Sequence, residues 1–514
     1  MKKLALVLVI LLVAMTLVTT GCKKEPAQLT VEIFDRGTDG GRSLAYDNAW
    51  TNWVTEKVKA DLNIDVTFIP VGRWSENTDI VNLMASGDAP DLCYTYAADM
   101  VASFRDQGGI IDLAPFIDRY LPDLKKLLGE DPAFPGKDFI YRNADPQTGA
   151  IYSIPSYRVA LAQRNVFIRK DWLDKLGLAV PQTPEQFYQA LVAFRDNDPG
   201  NVGANRVVPY GQNNDARWGL ANPIHHFIQD LSDRDRWIYS VHERNIMMPG
   251  YKEGVREMNK WYNENLIYQD FPLMTTADDF YNQMKSGVVG AFCQNWDLPY
   301  RQDYKILEEL RTIVPEADFV AVDCFKNKDM MDKVGLQMFI PKRAQDAGTH
   351  IAALQYLNWL AIHENYNFLQ IGQEGVNHVL VNGIPNIQGR PAGDEWFQNS
   401  AQNIDMTMPM NGVEMGSTEL NARVLALSYG AIPAEVIVEA YAASVRNARA
   451  AAVYQATTTV NQYAADLQRK ADDLLAQAIR ANPADFDRIW DAGIQDWLAS
   501  GGQEVINERT SLYR

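Results

Sequence analysis

From Leu29 to Phe34 apolar and polar residues alternate ("LTVEIFDRG") and the run breaks at Gly37, which predicts a strand entering a loop. The stretch "SLAYDNAWTNWVTEKVKADLN" spaces its apolar residues for one helix face, and "IDVTFIPVG" predicts a second strand. Next, "TDIVNLMASGDAPDLCYTYAADMV" predicts a helix stopping at Gly87, a loop carrying Pro90 and a short strand "LCYTY". Strand, helix, strand, helix, strand is the grammar of an α/β protein with a mostly parallel sheet covered by helices. Far downstream, "AEVIVEAYAASVRNARAAAVYQATTTVNQYAADLQRKADDLLAQAIRANP" is Ala-rich with a 3.6-residue period ending at Asn482-Pro483, predicting long packed helices.

The first residues follow another pattern. Met1-Lys2-Lys3 is a basic head, followed by the apolar run Leu4 to Val18 and by "TTGCKK". That order describes a secretory signal, and the run is shorter than the ~20 residues of a spanning helix. Gly21-Cys22 at the cleavage point resembles a bacterial lipobox, with Thr19 where Leu is usual. The resemblance implies a diacylated Cys22 as the mature N-terminus, a lipid anchor on the bacterial cell membrane and an extracytoplasmic location, periplasmic or on the outer face.

With 514 residues, two lobes are expected. A net charge of −17 argues against nucleic acid, whose binding rests on neutralising phosphates. Beyond Cys22 there remain Cys93, Cys293 and Cys324, none at CxxC spacing, so neither zinc nor a disulfide framework is indicated. Buried free thiols are expected, with Cys293–Cys324 the one pair open to oxidation. No GxSxG elbow, HExxH or P-loop pattern occurs, and His225-His226 lacks a nearby third ligand, so no enzyme and no metal site is expected. The 65 acidic residues are too many for abundance alone to single out a glycosidase pair.

Several phrases together resemble one family. "LMASGDAPDL", "GAIYSIPS", "NVFIRKDWLDKLGLAVPQTPEQFYQALVAFRDNDP", "FYNQMKSGVVGAFCQNWD", "GLQMFIPKRAQDAGTHIAALQYLNWLAIHENYNFLQIGQEGV" and "WDAGIQDWLASGGQEVINERTSLYR" occur in the order found in extracellular solute-binding proteins, family 1, of ABC transporters. The similarity extends to the long LipO-like lipoprotein branch, which includes alginate-oligosaccharide binders. It implies a two-lobed periplasmic-binding-protein-like fold of type II, with the ligand cleft between lobes and a helical C-terminal region. It also implies residues 1–21 as lipoprotein signal peptide and 22–27 as tether, then 28–155 with 330–400 as lobe one and 158–315 with 401–514 as lobe two. The implied function is the substrate-binding lipoprotein of an importer. It would be a monomer that closes on a carbohydrate, an oligosaccharide by the chain's length, and delivers it to the permease subunits. A secreted polysaccharide-degrading enzyme and a non-transport surface lipoprotein are the alternatives.

A sugar cleft needs flat apolar faces and fixed polar groups beyond the carboxyl ends of strands. That rule selects Asp35, Arg36 and Asp39 after the first strand and one of Tyr94 and Tyr96, Tyr96 being the choice, while the resemblance implies Trp74 in "VGRWSEN". It selects Tyr157 and Arg158 at the crossing, where Arg158 either binds a carboxylate bidentately or braces the hinge. In lobe two it selects Trp218, Asn295, Trp296 and Asp297, and the resemblance, which has a cleft Trp here, implies Trp296 as the leading candidate. Arg169, Lys170, Asp171 and Trp172 are expected to orient a strand-to-helix join. Finally, "FRDNDPGNVGANRVVPYG" occupies the place of an EF-hand-like calcium loop in the LipO-like branch. Counting from Asp198, Gly203 falls sixth, but positions three, five, nine and twelve are Gly200, Val202, Arg206 and Pro209. The loop is therefore read as degenerate, no cofactor is expected, and Arg206 is expected to pair with Asp196 or Asp198.

Overall fold

The computed structural model describes residues 25–35, 44–130, 139–145, 147–203, 205–240, 245–301, 304–386, 406–427, 429, 432–450 and 457–512. The strands are β1 (Ala27–Asp35), β2 (Ile64–Gly72), β3 (Cys93–Thr95), β4 (Ile154–Arg158), β5 (Arg164–Arg169), β6 (Val208–Tyr210) and β7 (Val289–Asn295). They continue with β8 (Phe319–Val322), β9 (Lys328–Met330), β10 (Val334–Phe339), the hairpin β11 (Val379–Val381) and β12 (Ile384–Asn386), β13 (Met410–Asn411) and β14 (Ala448–Ala450).

The first core gathers β1 and β2, paired in parallel over nine residues, with a sheet ordered β13-β4-β10-β3. Helix Ala49–Leu62 lies against it. Its start is fixed by a capping box between Asn48 and Thr51, and its end by Asn63 at φ 55°. Val54 and Val58 are buried from this helix, and the returning helix His350–Leu360 adds Leu354, Tyr356, Leu357 and Leu360 to the same cluster. The "ASGDAPD" phrase earns its place here. Gly87 ends its helix at φ 80°, and Asp91 accepts the Thr30 backbone N–H (2.9 Å) and the Thr30 and Thr349 hydroxyls (2.8 and 2.6 Å). One carboxylate thus ties β1 to the returning segment.

The second core is a sheet ordered β6-β7-β5-β8 with apolar layers on both faces. Alternation along β5 and β7 divides them: Val166, Ile168, Ala291 and Cys293 face one layer, Phe167 and Phe292 the other. Helices Tyr251–Asn263, Thr458–Arg480 and Phe486–Trp497 cover the first face; Ile306–Ile313 and Ala434–Val445 cover the second. Gly290 in β7 permits this packing, since a Cβ there would lie 2.6 Å from the Phe194 ring and 2.9 Å from Trp172.

Three expectations change. The sheets are mixed: β5 runs antiparallel to β7 and β8, and β10 antiparallel to β3 and β4, because strands that arrive from the other core reverse direction. The Ala-rich tail is not continuously helical; Asn447 at φ 57° ends one helix and the chain forms β14 against β9. Met406, Met408 and Met410 pack in the first core and β13 pairs with β4, so the chain returns to the second core after Met410 rather than at 401. Two crossings run side by side, with Arg158 donating its N–H to Lys333 O (2.7 Å) and Met331 to Leu161 O (2.8 Å). Away from them the cores also meet where Asp99 accepts the Thr457 N–H at 2.8 Å, and burial raises the Asp99 carboxyl above its ordinary pKa.

Candidate functional site: two edges flanking the crossings

β1, β2 and the Leu92 segment run parallel, so Asp35, Gly72 and Thr95 end at one edge of the first core. Just beyond, the Arg73 guanidinium lies 4.4 Å from the Tyr96 ring centroid, 5.3 Å from Phe34 and 5.1 Å from Trp74. Arg73 Nη1 pairs with Glu76 Oε2 at 2.8 Å, and Glu76 Oε1 accepts the Thr95 hydroxyl (3.1 Å) and the Tyr96 N–H (3.2 Å). The edge is therefore pre-set by a buried carboxylate. Arg158 approaches the same tyrosine at 5.7 Å and donates Nη1 to Asp332 O at 3.3 Å. Burial pulls its guanidinium below its ordinary pKa, though an arginine stays charged at neutral pH.

Placement separates the expected residues of this core. Tyr94 is fully buried and its hydroxyl accepts the Phe34 N–H (2.9 Å), whereas Tyr96, two residues on, sits half-buried at the edge. Tyr157 turns into the core against Phe139, not toward a cleft, since its neighbour Arg158 takes the outward side of β4; burial pushes its phenol up to about 12. Trp74 is 80% exposed and Asp35 is exposed. Arg36 and Asp39 lie outside the described residues, as does Cys22.

In the second core the ends of β6 and β7 meet the start of the antiparallel β5. Here the half-buried Trp218 donates Nε1 to Gln294 Oε1 (3.1 Å), and the Arg164 guanidinium stacks 4.4 Å from its ring. Arg164 is 4% exposed and pairs through Nη2 with Asp329 Oδ2 at 2.6 Å. His225 Nδ1 stands 3.3 Å from the same oxygen, and its Nε2 lies 3.3 Å from Asn245 Nδ2. Burial, opposed by Asp329, lowers the imidazole pKa, so His225 is neutral at neutral pH.

Trp296 packs into the second apolar layer of the second core. Its ring packs edge-to-face on Tyr441 (5.3 Å) and Tyr429 (6.2 Å), with 9% of the residue exposed, because the turn after β7 directs it onto helix Ala434–Val445. Asp297, 7% exposed, accepts the Tyr429 hydroxyl, and Asn295 is half-buried at the strand end. The residues that sequence reasoning passed over are Arg73, Arg164, Gln294, His225, Asn245 and Asp329. Arg164 precedes its strand, and a rule restricted to carboxyl ends misses the start of an antiparallel strand at the same edge.

The "IRKDW" residues do hold a join: Arg169, fully buried, makes a two-pronged pair with Asp171 (Nε–Oδ1 and Nη2–Oδ2, 2.7 Å each) and donates Nη1 to Gly287 O at 3.2 Å. The loop at Asp198 is held by hydrogen bonds within itself. Asp198, at φ 44° after helix Pro184–Asn197, accepts the N–H groups of Val202 (3.0 Å) and Gly203 (2.8 Å). Asp196 pairs with Arg195 at 2.7 Å instead of with Arg206, which is exposed and has no ion pair among the described residues. The adjacent Arg195 reaches Asp196 with less chain to order. The three thiols are free and buried, and burial pushes Cys293 up to about 11 and Cys324 to about 12, which disfavours the thiolate.

A family model described as bacterial extracellular solute-binding protein matches residues 42–235. The fructooligosaccharide ABC transporter substrate-binding protein FusA of Streptococcus pneumoniae is 28% identical over 204 residues, 36% of each chain. Lipoprotein LipO of Bacillus subtilis is 29% identical over 287 residues, 53% of this chain and 49% of LipO. The matches thus span less than half the length of these curated relatives. Among solved structures, the alginate-binding protein AlgQ2 without calcium ion superposes with a TM-score of 0.65 at 17% identity, covering 96% of this chain and 99% of that one. FusA in complex with kestose superposes with a TM-score of 0.63 at 16% identity, over 95% and 98%. Likeness at that identity shows the fold, two α/β lobes of the type II periplasmic-binding architecture. Over residues 42–235 the chain is thus similar to bacterial extracellular solute-binding proteins, as it is to parts of FusA and LipO.

Proposed function

We propose that this protein is the receptor of an ABC importer and captures an oligosaccharide between its lobes. One observation carries the reading. Each core presents an arginine stacked on a half-buried aromatic ring at its strand-end edge, Arg73 on Tyr96 and Arg164 on Trp218, and the two crossings join the cores beside them. Such rings offer flat faces to pyranose or furanose C–H groups, and the fixed guanidinium, Gln294 and Asn295 groups offer hydrogen bonds to hydroxyls. The names of relatives support a sugar: fructooligosaccharide for FusA and polygalacturonan/rhamnogalacturonan for YtcQ of Bacillus subtilis.

Sugar bridging both edges favours a closed arrangement over an open one of similar energy, and the joined lobes then present one surface to a permease. Cys22, acylated, keeps the receptor at the membrane, where two or more acyl chains are needed because a single one binds only marginally. Among the described residues no helix is long and apolar enough to cross a membrane. The protein binds without turnover, as a monomer, and its loop at Asp198 works without calcium.

A thermal-shift screen of the mature chain against neutral and uronic oligosaccharides tests this. At a hundredfold excess over Kd a ligand adds about 2.7 kcal/mol of stability, enough to raise the melting temperature by a few degrees. We expect at least one sugar to do so, to be recovered uncleaved, and to act equally with calcium or a chelator present. Hydrolysis of the sugar, or no shift with any sugar, would reject the receptor reading.

A further inference from the structure

Beside the crossings the second core holds a cavity lined by Gln163, Arg164, Arg236, Asn245, Asp329 and Arg449, among others. Three guanidiniums face one carboxylate in that lining, in a chain whose net charge is −17. Arg164 is held by Asp329 and Arg449 by Asp230 on the rim, whereas Arg236 has no carboxylate partner among the described residues. His225, whose Nδ1 stands 3.3 Å from Asp329, has its imidazole pKa lowered by burial, which disfavours a further cation there. Two buried polar atoms also lack partners: Arg164 Nε, on a residue 4% exposed, and Asn245 Oδ1, on a residue 5% exposed. Unsatisfied buried polar groups are rare and call for a ligand, a water or an ion.

A neutral hydroxyl would satisfy one donor here, but it would leave the excess positive charge of the lining unbalanced. A planar carboxylate fits better, because a guanidinium presents parallel N–H groups at its spacing and the low surrounding dielectric strengthens the pair. Across the crossings the first core repeats the theme: Arg158 meets a backbone carbonyl and a tyrosine ring, with no carboxylate in ion-pair range among the described residues. The chain's overall negative field repels anions, so their recognition must rest on these local cations.

We propose that this cavity is a carboxylate subsite and that the oligosaccharide is a uronic one, with Arg236 as the cation that reads its acid group. The inference rests on the receptor reading above. Its test is calorimetry on the full mature chain with oligouronates prepared from pectin and from alginate, each paired with its carboxyl-reduced form. We expect at least one oligouronate to bind ten or more times as tightly as its reduced partner, with a preference that shrinks at high salt. Arg236→Gln should reduce that preference at least tenfold while leaving the melting temperature of the free protein and any affinity for the reduced form unchanged. Equal or tighter binding of the reduced forms, or an unchanged preference in Arg236→Gln, overturns the subsite and leaves the sugar receptor standing. Binding of neither form also overturns the uronic subsite and leaves the receptor reading to the wider sugar screen.

Discussion

Asp171→Ala should lower the stability of the second core by about 3–5 kcal/mol, read as a fall in the denaturation midpoint without a change in slope. Arg169 and Asp171 side chains are 1% and 5% exposed, and removing the acid leaves the guanidinium charged and buried against Trp172. The cost comes from that stranded charge more than from the lost attraction. Replacing both residues together (Arg169→Met with Asp171→Leu) should therefore be milder than the single change, because no ion is left unpaired. The effect reaches function through geometry. Arg169 ends β5 and holds Gly287 O at the turn before β7, the two strands whose opposite ends present Arg164 and Asn295. A single change as mild as a surface substitution, within about 0.5 kcal/mol, would contradict this account of the join.

Trp218→Ala should weaken sugar binding by roughly 10- to 100-fold with little change in the melting temperature of the free protein. Losing the burial of an aromatic face is worth about 1.5–3 kcal/mol, and each 1.4 kcal/mol is tenfold in affinity. Trp218 is half-buried and lies on the helix Ala216–Gly219, whose start is capped by Asp215, so its loss leaves the strands intact. Trp296→Ala should act oppositely. Its ring fills the layer between Tyr429 and Tyr441, so truncation costs stability by about 3–5 kcal/mol. Calorimetric titration beside thermal melts separates the two, and an affinity loss confined to Trp296→Ala would reverse the assignment.

That contrast marks how far the sequence carries. Phrases whose job is local geometry were legible: Gly87 ending its helix in "ASGDAPD", and Arg169 and Asp171 at the join. Each acts on chain a few residues away, whereas the ties of Asp91 to Thr30 and Thr349 were not legible. Strand period could not sort the tyrosine candidates, since it puts Tyr94 and Tyr96 on one side; they differ because β3 ends at Thr95, before Tyr96. The burial of Trp296 was not legible, because it depends on where helix Ala434–Val445 returns more than a hundred residues later. Arg164 was hidden for a related reason: only the antiparallel pairing of β5 with β7 brings its strand start to the edge where β7 ends. Asp196 illustrates a smaller failure, in which a neighbour in sequence, Arg195, outcompeted the more distant Arg206.

The account's central claim is that ligand bridges the two edges and draws the lobes together. Small-angle X-ray scattering on the mature protein, with and without a saturating sugar that calorimetry has shown to bind, tests it most directly. The account predicts a smaller radius of gyration and maximum dimension in the bound state, with the mass still that of one chain. An unchanged profile at saturation would contradict closure, and with it the proposal that Arg73–Tyr96 and Arg164–Trp218 grip one ligand from opposite sides.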